Sequence, residues 1–146
     1  MASQSQLNTL IELAQRETDD AAKRLGAALA AVADAKQKHQ MLIGYRDEYA
    51  KRFEAAQAAG ITPMAYRNFQ AFMGKLDNAI TGQQEVIKHA EHRAGQEKAA
   101  WQASERKRMS YTTLSKRAAL EALKLEAKRD QKQMDEHAAR QAYYKR

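Results

Sequence analysis

The stretch AAQAAGITP, residues 55–63, decides how this chain folds because it contains the signals that end one helix and begin another. Gly60 suits the left-handed position that follows a helix, Thr62 suits an N-cap, and Pro63 suits a first helical residue. We therefore predict a tight turn at residues 59–63, which makes the flanking helices antiparallel neighbours.

Apolar and small residues recur at heptad spacing on both sides of this turn. Before it they form two lines, one beginning at Leu7 and the other at Ile11. After it a second seam runs from Phe69 to Trp101. Heptads sustained over this length are typical of a coiled coil. The predicted fold is an all-α antiparallel two-helix coiled coil.

The two helices differ in length. We expect residues 1–146 to form a single α-hairpin domain, with helix 1 at about residues 5–58 and helix 2 at about residues 64–141. Folding about the turn pairs residue i with approximately residue 121 − i. Everything after about residue 115 then overhangs as a single helix. Because a lone helix is marginally stable in water, the overhang either frays or docks into another molecule.

The seam of helix 2 becomes less apolar after Trp101. Its next positions hold Ser104, Arg108 and Tyr111, and leucines return only outside the earlier register. This pattern predicts a stutter or a local change of partner.

The composition restricts the possible functions. Abundant alanine, scarce proline and glycine, and a mean hydropathy of -0.78 suit long helices rather than a globule with a large core. There is no cysteine for disulfide or thiolate chemistry. We find no membrane-spanning run and read no secretory signal.

The net charge of +7 falls on one half of the sequence. Residues 1–59 carry eight acidic and eight basic side chains, whereas residues 60–146 carry seventeen basic and ten acidic ones. A basic half could face nucleic acid, anionic lipid or an acidic protein surface, or it could simply be solvated.

Six of the ten aromatic residues lie in the stretch 41–76, around the turn. The pairing rule puts two apolar stripes at the same level, and one narrow seam cannot bury both. We predict an exposed, protein-binding patch with a charged or polar rim at Lys38, Arg46, Lys75 and Gln83. The alternative is that the cluster only locks the turn end. The stripes are Leu42, Tyr45 and Tyr49 on helix 1 and Phe72, Leu76 and Ala79 on helix 2.

Residues suited to catalysis are missing from the sequence. No glycine-rich phosphate loop is present, and no serine or threonine has a credible base beside it. Glu85, His89 and His92 share a helix face that could hold a metal, but this spacing alone is a weak indication. His39 fits a tolerated polar position in the seam. We predict no metal, no cofactor and no enzymatic activity.

Three stretches carry a family resemblance. They are MLIGYRDEYAKR at 41–52, RNFQAFMGKLDNAI at 67–80 and KRDQKQMDEHAAR at 128–140. In this order and spacing the chain resembles the FliJ family, the small coiled-coil component of the bacterial flagellar type III export apparatus. Members are similar to the gamma stalk of rotary ATPases.

The resemblance implies a set of partners. It implies docking in the ring of the flagellar export ATPase FliI, contact with the cytoplasmic part of the export gate protein FlhA, and interaction with export chaperones. It places the chain peripherally at the cytoplasmic face of the inner membrane, where it serves flagellum assembly and motility. No nucleic acid is expected among the partners.

The resemblance also assigns residues to the two larger partners. The export gate would bind the two stripes named above, although Lys38 stands where the family often has Gln and Gln83 where it can have His. The ATPase would contact the terminal end of the hairpin, at Leu10, Leu13, Arg129, Gln131, Lys132, Met134 and Asp135.

Two other classes of protein fit parts of the sequence. The stretch WQASERKRMSYTTLSKR at 101–117 mixes aromatic and basic residues, as a nucleic-acid-binding coiled coil would. A purely structural rod is the other possibility, and it requires the aromatic stripes to be fully buried.

Overall fold

Two long helices make up almost all of the structure. The computed structural model describes residues 3–145, in which α1 spans Gln4–Ala59 and α2 spans Pro63–Tyr144, with no strand. The helices pack against each other as an antiparallel hairpin, so the all-α prediction is confirmed. Neither helix has a stretch within the described residues that is apolar enough to cross a bilayer.

Side-chain hydrogen bonds cap the first turn of α1. The hydroxyl of Ser3 accepts a hydrogen bond from the backbone N–H of Gln6 at 3.2 Å, and the side-chain oxygen of Gln6 accepts one from the N–H of Ser3 at 3.0 Å. This reciprocal pair is a capping box, which satisfies two donors that the first helical turn would leave unpaired.

The turn has the geometry that its sequence predicts. Gly60 has a φ of 90°, a left-handed conformation that costs glycine little and other residues more. The Thr62 hydroxyl accepts a hydrogen bond from the N–H of Ala65 at 3.1 Å, and Pro63 is the first residue of α2. Thr62 is therefore the N-cap of α2.

Interhelical contacts divide the chain into two units, which we describe separately. The turn unit comprises Asp20–Trp101, and the terminal unit comprises the residues up to Asp19 and those from Gln102 onward.

The seam of the turn unit changes character along its length. Ala21, Ala28 and Ala35 are buried on α1, and Leu76 and Ala94 are buried on α2. Nearer the turn the seam is filled by aromatic rings. Tyr49, Phe53, Tyr66, Phe69 and Phe72 form a chain of contacts with ring centroids 4.4–5.6 Å apart, which is a favourable packing distance.

The seam of the terminal unit mixes apolar residues with small and polar ones. Leu7, Ala14 and Thr18 are buried on α1, and the Thr18 hydroxyl donates a 2.8 Å hydrogen bond to the carbonyl of Ala14. On α2 the half-buried positions continue through Arg108 and Tyr111.

The predicted stutter after Trp101 is wrong. The half-buried positions of α2 keep the heptad spacing from Ser104 to Ala118, without an inserted or deleted step. Arg108 holds one of these positions, and its guanidinium bonds Glu105 at 2.8 Å. Local pairing of this kind lets a polar residue occupy a seam position without a change of register.

The pairing rule is confirmed in each unit. In the turn unit, Tyr49 packs on Phe72 and Arg24 bonds Glu97 at 3.3 Å. In the terminal unit, Gln4 bonds Ser115 at 2.8 Å. These pairs agree with the expected relation between residue i and residue 121 − i.

The overhang is also confirmed. Every described residue after Ala118 is exposed, although α2 continues to Tyr144. The leucines at positions 114, 120, 123 and 125 are exposed as well. The overhang therefore presents apolar side chains that the hairpin does not cover.

Candidate protein-binding surfaces

The six residues of the two predicted stripes come together on one flank of the turn unit. We call them the turn patch. Tyr45 is 53% exposed and Phe72 is 44% exposed, so two aromatic residues present their rings to solvent. Tyr49 packs against Phe72, with ring centroids 4.4 Å apart, which joins the two helices within the patch. The turn patch comprises Leu42, Tyr45, Tyr49, Phe72, Leu76 and Ala79.

The expectation that all six residues are exposed is wrong for Leu76. It is only 9% exposed because its position falls on the seam line of α2. Leu42 and Tyr49 are half-buried for the same reason on α1. The accessible part of the turn patch is therefore Tyr45, Phe72 and Ala79, with the seam residues beneath them.

A shallow groove of about 210 Å³ extends the turn patch along α1. It is lined by Lys38, Met41, Leu42, Tyr45 and Gln83. Met41 is exposed and was missed by the sequence analysis, although its place four residues before Tyr45 puts both on one helix face. Methionine adapts its shape readily, so Met41 can fit varied apolar partners.

The rim of the turn patch is partly occupied by internal contacts. Arg46 forms an ion pair with Asp77, and the hydrogen bond and charge of Asp77 raise the pKa of the Arg46 guanidinium. The side chain of Gln83 donates a 3.0 Å hydrogen bond to the carbonyl of Ala35 across the helices. Lys38 and Lys75 form no salt bridge within residues 3–145. Two lysines at the rim thus remain available to an acidic partner.

The residues predicted to contact the ATPase do not form one cluster. Leu10 and Leu13 line a groove with Ala14, Glu17, Lys107 and Tyr111 in the paired part of the terminal unit. Two of these lining residues, Lys107 and Glu17, form an ion pair at 3.6 Å.

The other predicted ATPase contacts lie farther along α2, on the exposed overhang. The Gln131 amide donates to the Asp135 carboxylate at 3.0 Å, and Met134 is exposed beside them. Arg129 lies roughly 27 Å along the helix axis from Tyr111, at 1.5 Å per residue. Leu10 and Leu13 and the residues from Arg129 to Asp135 are therefore two separate surfaces. A partner would have to be extended to contact both.

The possible metal site is not assembled in the described structure. Glu85 forms an ion pair with Lys88 at 3.3 Å, and within residues 3–145 no three His, Cys, Asp or Glu side chains meet as metal ligands would. His39 lies half-buried in the seam, as expected for a tolerated polar residue.

The fold and these surfaces define an α-helical hairpin of the coiled-coil class, with exposed apolar side chains on both of its units. Comparisons with known proteins identify the family. The family model described as "Flagellar FliJ protein" matches residues 3–146. The Flagellar FliJ protein of Escherichia coli (strain K12) is 33% identical over 145 residues, covering 99% of each chain. That of Salmonella typhi is 32% identical, also over 145 residues and 99% of each chain.

The chain belongs to the FliJ family of flagellar proteins. It is thus a component of flagellar protein export, and the prediction that it is not an enzyme is confirmed by this membership.

Proposed function

We propose that this protein couples the flagellar export ATPase to the export gate, binding the gate through the turn patch and the ATPase ring through the terminal unit. It also assists the cycling of export chaperones and acts at the cytoplasmic face of the inner membrane. The observation that carries the proposal is the exposure of Tyr45 and Phe72 on a helical hairpin whose overhang has no partner helix among the described residues.

The turn patch has the properties of a protein interface. Exposed aromatic rings lie over a seam that fixes their positions, and rigid aromatic residues contribute most to binding at interfaces. The lysines of the rim, Lys38 and Lys75, would steer an acidic surface toward the patch. A purely structural rod would require these rings to be buried, so their exposure argues against that alternative.

The overhang supports the ATPase contact. A single helix gains little stability in water, and here it exposes Leu120, Leu123, Leu125 and Met134. Docking into a ring would cover these apolar side chains and replace the missing helix partner. Basic residues such as Lys128 and Lys132 would make that docking weaken as salt is added.

The alternative of nucleic-acid binding is disfavoured by burial. Trp101 and Tyr111 each lie half-buried at seam positions, where their ring faces are restricted. Lys107 and Arg108 are engaged by Glu17 and Glu105 respectively. Two of the five basic residues of 101–117 are therefore already paired, and both aromatic residues are partly covered, which leaves less of the stretch for bases and phosphates.

Binding of full-length variants to the purified export ATPase and to the cytoplasmic part of the gate tests the proposal. Tyr45→Ala should weaken gate binding and leave ATPase binding unchanged. Met134→Glu should weaken ATPase binding and leave gate binding unchanged. Met64→Glu, which changes an exposed methionine of the turn unit outside both predicted sets, is the matched control. Loss of both interactions in either variant, or of neither, would refute the division of roles.

A further inference from the structure

A second apolar groove lies on the turn unit, away from the turn patch. It is lined by Leu25, Leu29, Ala94, Gly95, Lys98 and Trp101 and has a volume of about 330 Å³. Leu29 is 54% exposed, and Trp101 is the one tryptophan of the protein. We call this the tryptophan groove. None of its residues belongs to the turn patch or to the predicted ATPase contacts.

The tryptophan groove and the turn patch occupy opposite flanks of the hairpin. Leu29 follows the seam residue Ala28, whereas Tyr45 precedes the seam residue Arg46. At 100° per residue, these positions fall on opposite sides of the seam of α1. The ion pair between Lys36 and Glu91 at 3.5 Å marks the same flank as Leu29. A partner in the tryptophan groove therefore leaves the turn patch free.

The shape of the tryptophan groove suits a helix. Ala94 and Gly95 on α2 contribute little or no side chain, and a methyl group added at Gly95 would meet no atom within 4 Å. Another backbone can therefore approach α2 closely at this level. Leu25, Leu29 and Trp101 supply apolar walls on either side. This combination accepts a narrow row of aliphatic side chains, such as an amphipathic helix presents.

The charge beside the tryptophan groove determines which kind of partner helix can bind there. On this flank, the positions next to the seam hold three charged residues, Lys36, Glu91 and Lys98. Lys36 and Glu91 pair with each other at 3.5 Å. Lys98, which lines the groove, forms no salt bridge within the described residues. The flank therefore has unpaired positive charge beside its apolar walls.

From the apolar walls, the small residues and the unpaired Lys98 we infer that the tryptophan groove binds an acidic amphipathic helix of a partner protein. The aliphatic face of that helix covers Leu29 and Trp101, and one of its carboxylates pairs with Lys98. The partner can occupy this site at the same time as another protein occupies the turn patch.

Fluorescence of Trp101 tests the inference directly, because no other tryptophan contributes to the signal. The full-length protein is titrated with a synthetic helical peptide that has leucines on one face and glutamate and alanine elsewhere. A second peptide has lysine in place of every glutamate. We expect a saturable change in Trp101 emission with the glutamate peptide and an affinity at least tenfold lower for the lysine peptide.

Variants locate the binding site. Leu29→Glu and Lys98→Glu should each weaken binding of the glutamate peptide at least tenfold. Leu120→Glu, which places the same charge on a similarly exposed leucine of the overhang, should leave binding unchanged. Leu29→Ala is the milder variant if Leu29→Glu fails to fold, and circular dichroism checks the helicity of each protein.

Three results would overturn the inference. They are the absence of a saturable signal, equal binding of both peptides, and an equal loss of binding in Leu120→Glu. Sedimentation of the protein alone adds a fourth test. A dimer that Leu29→Glu converts to monomer would show that a second copy of this chain, not an acidic partner, covers the tryptophan groove.

Discussion

The turn unit and the terminal unit use the same heptad spacing for different purposes. In the turn unit, aromatic rings such as Phe53 and Phe69 fill the seam and hold the helices together. In the terminal unit, small and polar residues such as Ala14, Thr18 and a paired arginine share the seam with Leu7, and α2 then continues without a partner helix among the described residues. Ring burial stabilises the helix pair, whereas small and polar positions contribute little of the hydrophobic effect. The difference shows that heptad spacing determines where helices meet but not how strongly they are held.

The largest expected effect concerns Phe69, whose ring lies 5.1 Å from Tyr49 and 5.2 Å from Phe53. Phe69→Ala should lower the free energy of unfolding by about 2–4 kcal/mol, because it leaves a gap between packed rings. Urea unfolding followed by circular dichroism measures the loss. Ser115→Ala, at a seam position of the terminal unit, should change the free energy by less than about 0.5 kcal/mol. Similar losses in both variants would contradict the contrast between the units.

The second prediction separates binding from stability within the turn patch. Tyr45 is exposed, so Tyr45→Ala should weaken gate binding by about 1–2 kcal/mol while leaving the melting temperature nearly unchanged. Tyr49 packs against Phe69 and Phe72, so Tyr49→Ala should lower the melting temperature first. Thermal melts and gate affinities measured on the same two proteins test this division. A destabilised Tyr45→Ala protein would show that the ring serves packing instead.

The third prediction concerns His39, which lies half-buried in the seam of the turn unit. Its Nε2 atom is buried without a hydrogen-bond partner among residues 3–145. A buried polar atom left unpaired is costly, so His39→Leu should raise the free energy of unfolding by about 1 kcal/mol. Gln83→Leu is the comparison, because the Gln83 amide already bonds the Ala35 carbonyl and its removal gains less. An equal gain in both would mean that added apolar area, not the unpaired nitrogen, accounts for the effect.

The smallest expected effects come from two glycines of the turn unit. Gly82 is helical and an added methyl group would meet no atom within 4 Å, so Gly82→Ala should stabilise the protein by about 0.5–1 kcal/mol. Gly60 has a left-handed φ, so Gly60→Ala should instead destabilise it by about 1 kcal/mol. Melting curves of the two variants should therefore shift in opposite directions. A shift of both melting temperatures in the same direction would contradict the left-handed conformation of Gly60.

Much of the turn patch could be predicted because a helix places residues at known angles. The pairing rule brought Tyr49 and Phe72 to one level, and their rings are in contact. The rule could not assign exposure. Leu76 lies at a seam position and is buried, whereas Phe72 lies beside the seam and is exposed. The predicted ATPase contacts came from resemblance rather than from geometry, and the structure places them on two separate surfaces.

The sequence by itself determined the hairpin, its turn and its register. Cap residues around Gly60 act locally, and heptad spacing is a property of each helix alone, so both can be read without tertiary contacts. Only the tertiary structure decided which side chains remain exposed and which charges are already paired. Whether Arg46 bonds Asp77, or Leu29 stays uncovered beside Trp101, depends on atoms that come from the opposite helix. The distance and orientation of that helix follow from the packing of the whole seam, which no single stretch of sequence specifies.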